Sequence, residues 1–263
     1  MPYRFATQPR DYSDLAGGRV LYSRPGYPAF PVRLASEIFQ RCLSQRAGPA
    51  SARPVTLYDP CCGGAYHLSA LALEHWAALQ MIIGSDIDPQ AVQLAARNLG
   101  LLTPDGLDQR IRELTAHYQA YGKDSHRAAL QSAQALRERV GVQARRQPLP
   151  TRVFQASAFD ASTLRSHLGD TGIDVVLTDI PYGRQSAWAD TARQTSESPV
   201  SRMLTALRSC LHTESVVAIA SDKSQVIASE GYARVERFQV GRRQIVLLRP
   251  RPALSFWNAP DKC

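Results

Sequence analysis

Apolar positions along the chain follow two rhythms, and the way these rhythms alternate sets the first expectation. Short apolar, often β-branched runs occur at 55–58, 81–83, 152–157, 173–178, 215–220, 232–239 and 244–249, and they read as buried strands. Between them, apolar residues recur at helical spacing. A helix over 32–46 reads as amphipathic, with Leu34, Ile38 and Leu43 expected toward the core, and Leu68, Leu71 and Ala72 share one face of the next. Further helices are predicted over 89–99 and about 199–211, the first opened by Asp88 as N-cap and Pro89 at the first helical position. Strands alternating with helices predict an α/β fold.

The alternation breaks once. Leu107, Ile111, Leu114, Tyr118 and Tyr121 step by 4, 3, 4 and 3, a single helical stripe. Gly122-Lys-Asp-Ser125 supplies a stop, a turn and a new N-cap, and Leu130, Ala133, Leu136 and Val140 form a second stripe. This predicts a helical hairpin over about 101–150, inserted between the second and third strands. Residues 1–30 hold four prolines and three glycines, so they read as an irregular arm preceding one domain over 31–263.

Three strands end in an acid. In Val55-Thr-Leu-Tyr-Asp-Pro-Cys-Cys-Gly-Gly-Ala-Tyr66 the strand closes at Asp59, and Gly63 and Gly64 permit a sharp turn and close approach of a ligand. The next helix then points free N–H groups at the crevice. The dinucleotide fingerprint G-x-G-x-x-G is not present. A carboxylate at Asp59 suits a cationic ligand group, and S-adenosylmethionine carries an ammonium and a sulfonium and no phosphate. Any βα turn shares these features, so the loop by itself leaves the ligand open. Asp86 ends the second strand, where Rossmann-like folds hold ribose hydroxyls. Asp179 ends a later strand and is followed by Ile-Pro-Tyr-Gly183.

Asp59-Pro-x-Cys-Gly-Gly-Ala, Gly84-Ser-Asp-Ile-Asp-Pro-x-Ala-Val92 and Thr178-Asp-x-Pro-Tyr-Gly183 together resemble class I RNA methyltransferases acting on guanine. Within that group the chain is similar to the avilamycin-resistance methyltransferases, which modify a guanine of large-subunit ribosomal RNA. The resemblance implies a Rossmann-like, seven-stranded, mostly parallel sheet with its last strand antiparallel. It also implies S-adenosylmethionine as cofactor, the exocyclic N2 as the favoured target with N1 possible, and an antibiotic-resistance role. Carried over by position, Asp59, Cys61, Gly63, Gly64, Ala65, Tyr66, Asp86, Ile87, Ser157, Ala158 and Phe159 form the cofactor site. Asp179, Ile180, Pro181 and Tyr182 form the catalytic turn: acceptors for the base, a rigid proline and a stacking ring. Ala65 replaces the third loop glycine, Ile180 replaces the first proline, and Ser157 stands where an acid often meets adenine.

Charge agrees with a nucleic-acid partner. Lys plus Arg total 31 against 23 acids, a net +8, and only three of the 31 are lysines. Arginine binds phosphate bidentately and stacks on bases, although a GC-rich genome produces the same bias. Arg24 in the arm, Arg145 and Arg146 at the hairpin's exit, and Arg184 and Trp188 after the Asp179 turn are the candidate RNA contacts. In the arm, Arg4, Arg10, Arg19 and Arg24 alternate with tyrosines and Phe5, which suits either stacking on unpaired bases or packing on the core. Residues 185–198 are polar and read as a loop able to close on substrate. The five cysteines lack zinc-ligand spacing, so neither a metal nor a disulfide is expected. No apolar run is long enough to span a bilayer, so no membrane contact is expected; the chain is expected to be cytoplasmic, and a monomer. Methylation of protein glutamine or of DNA adenine, and a non-catalytic RNA-binding protein of this fold, remain the alternatives.

Overall fold

The computed structural model describes residues 3–27, 29–46, 52–180 and 197–252. Seven strands form one sheet: β1 (Val55–Asp59), β2 (Leu79–Asp86), β3 (Thr151–Gln155), β4 (Ile173–Asp179), β5 (Leu211–Asp222), β6 (Tyr232–Val240) and β7 (Arg243–Pro250). Their order is β3-β2-β1-β4-β5-β7-β6. The pairs β1–β2, β1–β4, β2–β3 and β4–β5 are parallel, whereas β7 runs antiparallel to β5 and β6. The chain winds outward from β1 to β3 and returns to β4 on β1's other side. A crevice therefore opens at the carboxyl ends of β1 and β4, the place where doubly wound sheets bind ligands.

Alternate residues of the central strands face opposite layers. Leu57, Val175 and Leu177 pack with α1 (Val32–Ser44), α2 (Tyr66–His75) and α3 (Pro89–Gly100). Tyr58, Val176 and Ile83 pack instead with α6 (Ala161–Leu168) and α7 (Pro199–Leu207). β1 is buried along its whole length, so it has no polar face and its apolar run is continuous.

The insertion is a hairpin of α4 (Pro104–Tyr121) and α5 (Asp124–Arg146), closed by Gly122 in the left-handed conformation with φ 61°. α4 begins a turn earlier than its apolar stripe suggests. Thr103 caps it by accepting from Gly106 N–H at 3.1 Å, and a Cβ on Gly106 would lie 2.0 Å from Gly100 O. Gly106 is there because two backbones meet. Leu107 and Leu114 are buried as the stripe requires, but its last member, Tyr121, is 66% exposed. β3 stops at Gln155, short of the predicted end, because Ser157 Oγ accepts from Phe159 N–H and turns the chain.

The arm carries a 3₁₀ turn at Ser13–Leu15, and it packs on the core. Leu15, Val20, Leu21 and Phe30 are buried. Its start is held by one side chain: the Glu37 carboxylate accepts from Arg4 N at 2.6 Å, Phe5 N at 2.8 Å and Ala6 N at 2.7 Å, with Arg41 Nε at 2.7 Å. Burial alone would push the Glu37 pKa up, but these four donors pull it below its ordinary value. Further along, Arg110 of α4 donates to Val20 O at 2.9 Å and Arg19 O at 3.1 Å.

Candidate active site

The strand-end acids converge on the crevice, although they do not play equivalent parts. Asp59 is fully buried. Its Oδ1 accepts from Cys61 N at 2.9 Å, and His67 Nε2 lies 3.0 Å from its Oδ2. The group it faces is therefore an imidazole of this chain, on the first turn of α2. His67 Nε2 also lies 3.4 Å from Leu177 O, so one ring joins the end of β1 to the end of β4. Burial disfavours the imidazolium, but the Asp59 and Asp179 carboxylates outweigh it and raise the His67 pKa.

The loop between β1 and α2 is pinned by its backbone. Cys62 N donates to Ser85 O at 2.9 Å, and Gly63 N donates to Asp86 Oδ2 at 2.8 Å. Gly63 has φ +52°, and a Cβ there would meet only the edge of Tyr27 at 3.9 Å. Gly64 leaves room for Leu94: a Cβ there would lie 2.7 Å from Leu94 Cδ2, so that side chain would have to move. Ala65 takes the left-handed conformation (φ 52°, ψ 31°) that a third glycine would adopt without strain. Cys61 and Cys62 act as small residues, with burial pushing both thiols well up. Tyr66 turns its hydroxyl to Leu15 O in the arm, so its phenol ties the arm to α2.

Asp86 keeps its expected place. Each carboxylate oxygen takes one backbone donor, Gly63 N or Asp88 N, and retains a lone pair for a ligand hydroxyl. Burial raises its pKa despite those donors. The adjoining Ile87 is 44% exposed at the rim, a free apolar surface beside the acid. Asp88 is the N-cap of α3 and accepts from Gln90 N at 2.8 Å. Its second oxygen takes the Tyr27 hydroxyl, whose pKa burial and this carboxylate push up to about 12. Arg24 lies near the same pair and lowers Asp88 further.

At the end of β3, Ser157 is committed to its turn. Ala158 is buried, and the Phe159 ring carries the Arg202 guanidinium 4.3 Å from its centroid. On β4, Asp179 pairs in register with Ala220, and Ile180 N donates to Ala220 O at 3.1 Å. A proline could not make that bond, so isoleucine fixes the start of the turn by extending the ladder. Pro181, Tyr182, Arg184 and Trp188 lie outside the described residues, as does most of the predicted closing loop.

The structure does not bring Arg145 and Arg146 to this crevice. They end α5 beside Gln147, which bonds Leu79 O at the start of β2, so they sit at the amino edge of the sheet. Two site residues escaped the sequence reading, His67 and Asn98. His67 sits on the core face of α2 beside Leu68 and Leu71, and the only clue was a titratable ring on an apolar face. Asn98 Nδ2 donates to Gly64 O at 2.8 Å and Tyr22 O at 3.1 Å, while its Oδ1 accepts from Tyr22 N at 2.8 Å.

A family model described as rRNA methyltransferase AviRa matches residues 1–243 of this chain. The chain belongs to the AviRa family. A 23S rRNA (guanine(2535)-N(1))-methyltransferase of Streptomyces viridochromogenes is 44% identical over 253 residues, covering 96% of this chain and 98% of that protein. Two solved structures of rRNA methyltransferase AviRa from the same organism match with a TM-score of 0.83. Their identities are 43% and 42%, over 95% of this chain and 96% of theirs. The match shows the AviRa methyltransferase fold across nearly the whole molecule, including the arm and the hairpin. Among the described residues no group of three or more His, Cys, Asp or Glu side chains could hold a metal ion. No helix there is long and apolar enough to cross a membrane.

Proposed function

We propose that this AviRa-family chain methylates a guanine of 23S ribosomal RNA, with S-adenosylmethionine as donor. The observation that carries this reading is the convergence of the Gly63–Gly64 loop, Asp86 and Asp179 on one crevice, in a chain of this family. The residues present fit the donor: an open backbone at Gly63, a carboxylate with free lone pairs at Asp86 and an apolar rim at Ile87. When bound, S-adenosylmethionine supplies an electrophilic methyl group on a sulfonium. Asp59 acts through His67 and the loop backbone, as a positioning residue.

N1 is taken over N2 because the Streptomyces relative carries N1 in its name. The two nitrogens lie on the same edge of the base, so either reading places that edge at Asp179. Chemistry at N1 asks more of the protein. The neutral base carries a proton on N1, and the nitrogen lone pair is delocalised into the ring until that proton leaves. The Asp179 carboxylate is the acceptor for it, and the Ile180 carbonyl takes the adjacent 2-amino hydrogen. Its backbone bond to Ala220 holds that acceptor in position. The target guanine must leave its stack to reach the crevice, at a cost of a few kcal/mol. Antibiotic resistance, and action as a monomer, complete the proposal.

The test is methyl transfer from labelled S-adenosylmethionine to 23S rRNA, DNA and total protein in parallel. Label in the rRNA, recovered after nuclease digestion as 1-methylguanosine by mass spectrometry, is the expected result. Recovery as N2-methylguanosine moves the atom and keeps the enzyme. Label in protein or DNA overturns the reading.

A further inference from the structure

A cavity of about 870 Å³ lies between the arm and the helical insertion, lined by Arg19 and Tyr22 from the arm, Arg97 of α3, Arg110 and His117 of α4 and His126 of α5. We infer that this cleft is a second RNA-binding site, which holds a nucleotide of the rRNA strand outside the catalytic crevice. The inference rests on the rRNA reading above and adds to it a docking surface that Asp179 does not line.

The charge of the cleft is unbalanced. Three guanidinium groups line it with Glu113 as the one carboxylate among the lining residues. Glu113 is already shared between Arg110 Nη1 at 3.1 Å, Arg97 Nη2 at 3.6 Å and the Tyr22 hydroxyl at 2.9 Å. Two positive charges are left over, which suits phosphate. The Tyr22 ring is clamped between Arg97 and Arg110, whose Cζ atoms lie 3.8 Å and 4.3 Å from its centroid. Arg110 is locked by the Val20 and Arg19 carbonyls, whereas the Arg97 side chain stays 56% exposed and able to turn toward a ligand.

The opposite wall offers flat rings. His117 and His126 lie 5.9 Å apart, and His126 Nδ1 is buried without a hydrogen-bond partner among the described residues. A planar base with polar edges meets both needs. The volume falls within the roughly 300–1,000 Å³ of small-ligand pockets, room for one nucleotide. The cleft is also joined to the catalytic crevice. Asn98 holds both backbone groups of Tyr22 and the carbonyl of Gly64, so one side chain links the cleft wall to the loop of the crevice.

The experiment measures binding of 23S rRNA to the full chain at several salt concentrations. Arg97→Gln removes a cation. Ser125→Glu adds an acid at an exposed lining position in the first turn of α5, where negative charge favours the helix. Both variants are expected to bind several-fold more weakly, with S-adenosylmethionine affinity by calorimetry unchanged. In Arg97→Gln the salt slope of log K becomes shallower by about 0.7–0.9, one phosphate contact. Unchanged affinity and slope in both variants, with a wild type that methylates the same rRNA, overturns the cleft assignment. Free guanosine monophosphate binding as tightly as the rRNA overturns it in favour of a metabolite. Failure of the wild type to methylate any rRNA is separate, and overturns the enzymatic reading first.

Discussion

The catalytic crevice and the arm–hairpin cleft handle charge in opposite ways. In the crevice, carboxylates are wholly or partly buried and held by backbone: Asp59 by Cys61 N, Asp86 by Gly63 N and Asp88 N. In the cleft the charges sit on long side chains, bonded to one another and stacked on Tyr22. Backbone-held groups cannot shift without unfolding a strand end, so the crevice is preorganised. The Arg97 guanidinium can shift, and its exposure makes it sensitive to salt. Chemistry calls for the first arrangement, and tolerance of an irregular RNA surface for the second.

The largest effect that would sharpen this contrast comes from Asp179→Ala. Turnover is expected to fall on the order of 10²–10⁴-fold, with S-adenosylmethionine and rRNA affinities retained. A parallel loss of rRNA affinity would place docking in the crevice and break the contrast. Next is Glu37→Ala, which strips the arm's anchor and takes from buried Arg41 one of its two carboxylates, Glu236 being the other. A loss of about 3–5 kcal/mol in denaturant unfolding is expected, as for breaking a buried ion pair. Because the Glu37 pKa is lowered, its contribution is present above the ordinary glutamate range and disappears as the pH falls through the lowered value.

His67→Gln gives a smaller and pH-dependent effect. The His67 pKa is raised in the folded protein, so its contribution is complete below about pH 6.5 and is lost as the pH rises through the folded value. Wild-type stability should therefore decline over that interval, and the glutamine variant should lack the slope. Thermal unfolding across pH decides it. Ala65→Gly should do least. Relief of roughly 1–2 kcal/mol of left-handed strain is offset by a lost buried methyl of about 0.8 kcal/mol and by glycine's extra unfolded entropy. A change above about 1 kcal/mol in either direction would show that the loop is not held as described.

The crevice was the more legible of the two regions. An acid at the end of an apolar run is a local signal, and Asp59, Asp86 and Asp179 all lie where such runs stop. The use of Asp59 was not legible, because its partner His67 belongs to the next helix and the pairing depends on how α2 packs. The hairpin was visible from its stripes, but its first turn, which precedes them, was not, since the close approach of Gly106 to Gly100 is tertiary. The arm was readable only as irregular. Its partners Glu37, Asn98 and Arg110 are single polar residues within otherwise ordinary helices, and nothing in residues 1–30 points to them. Arg145 and Arg146 show the converse: a dense basic pair in sequence, placed by α5 at the edge of the sheet opposite the chemistry.

The arm's anchoring has a consequence for the order of events during synthesis. Tyr22 waits for Asn98, 76 residues downstream, and the Val20 carbonyl waits for Arg110, 90 residues downstream. The arm leaves the ribosome well before either partner exists, with Leu15, Val20 and Leu21 uncovered in the meantime. Its lasting place is set only after the insertion has been made, so the earliest of these segments to emerge is among the last to settle.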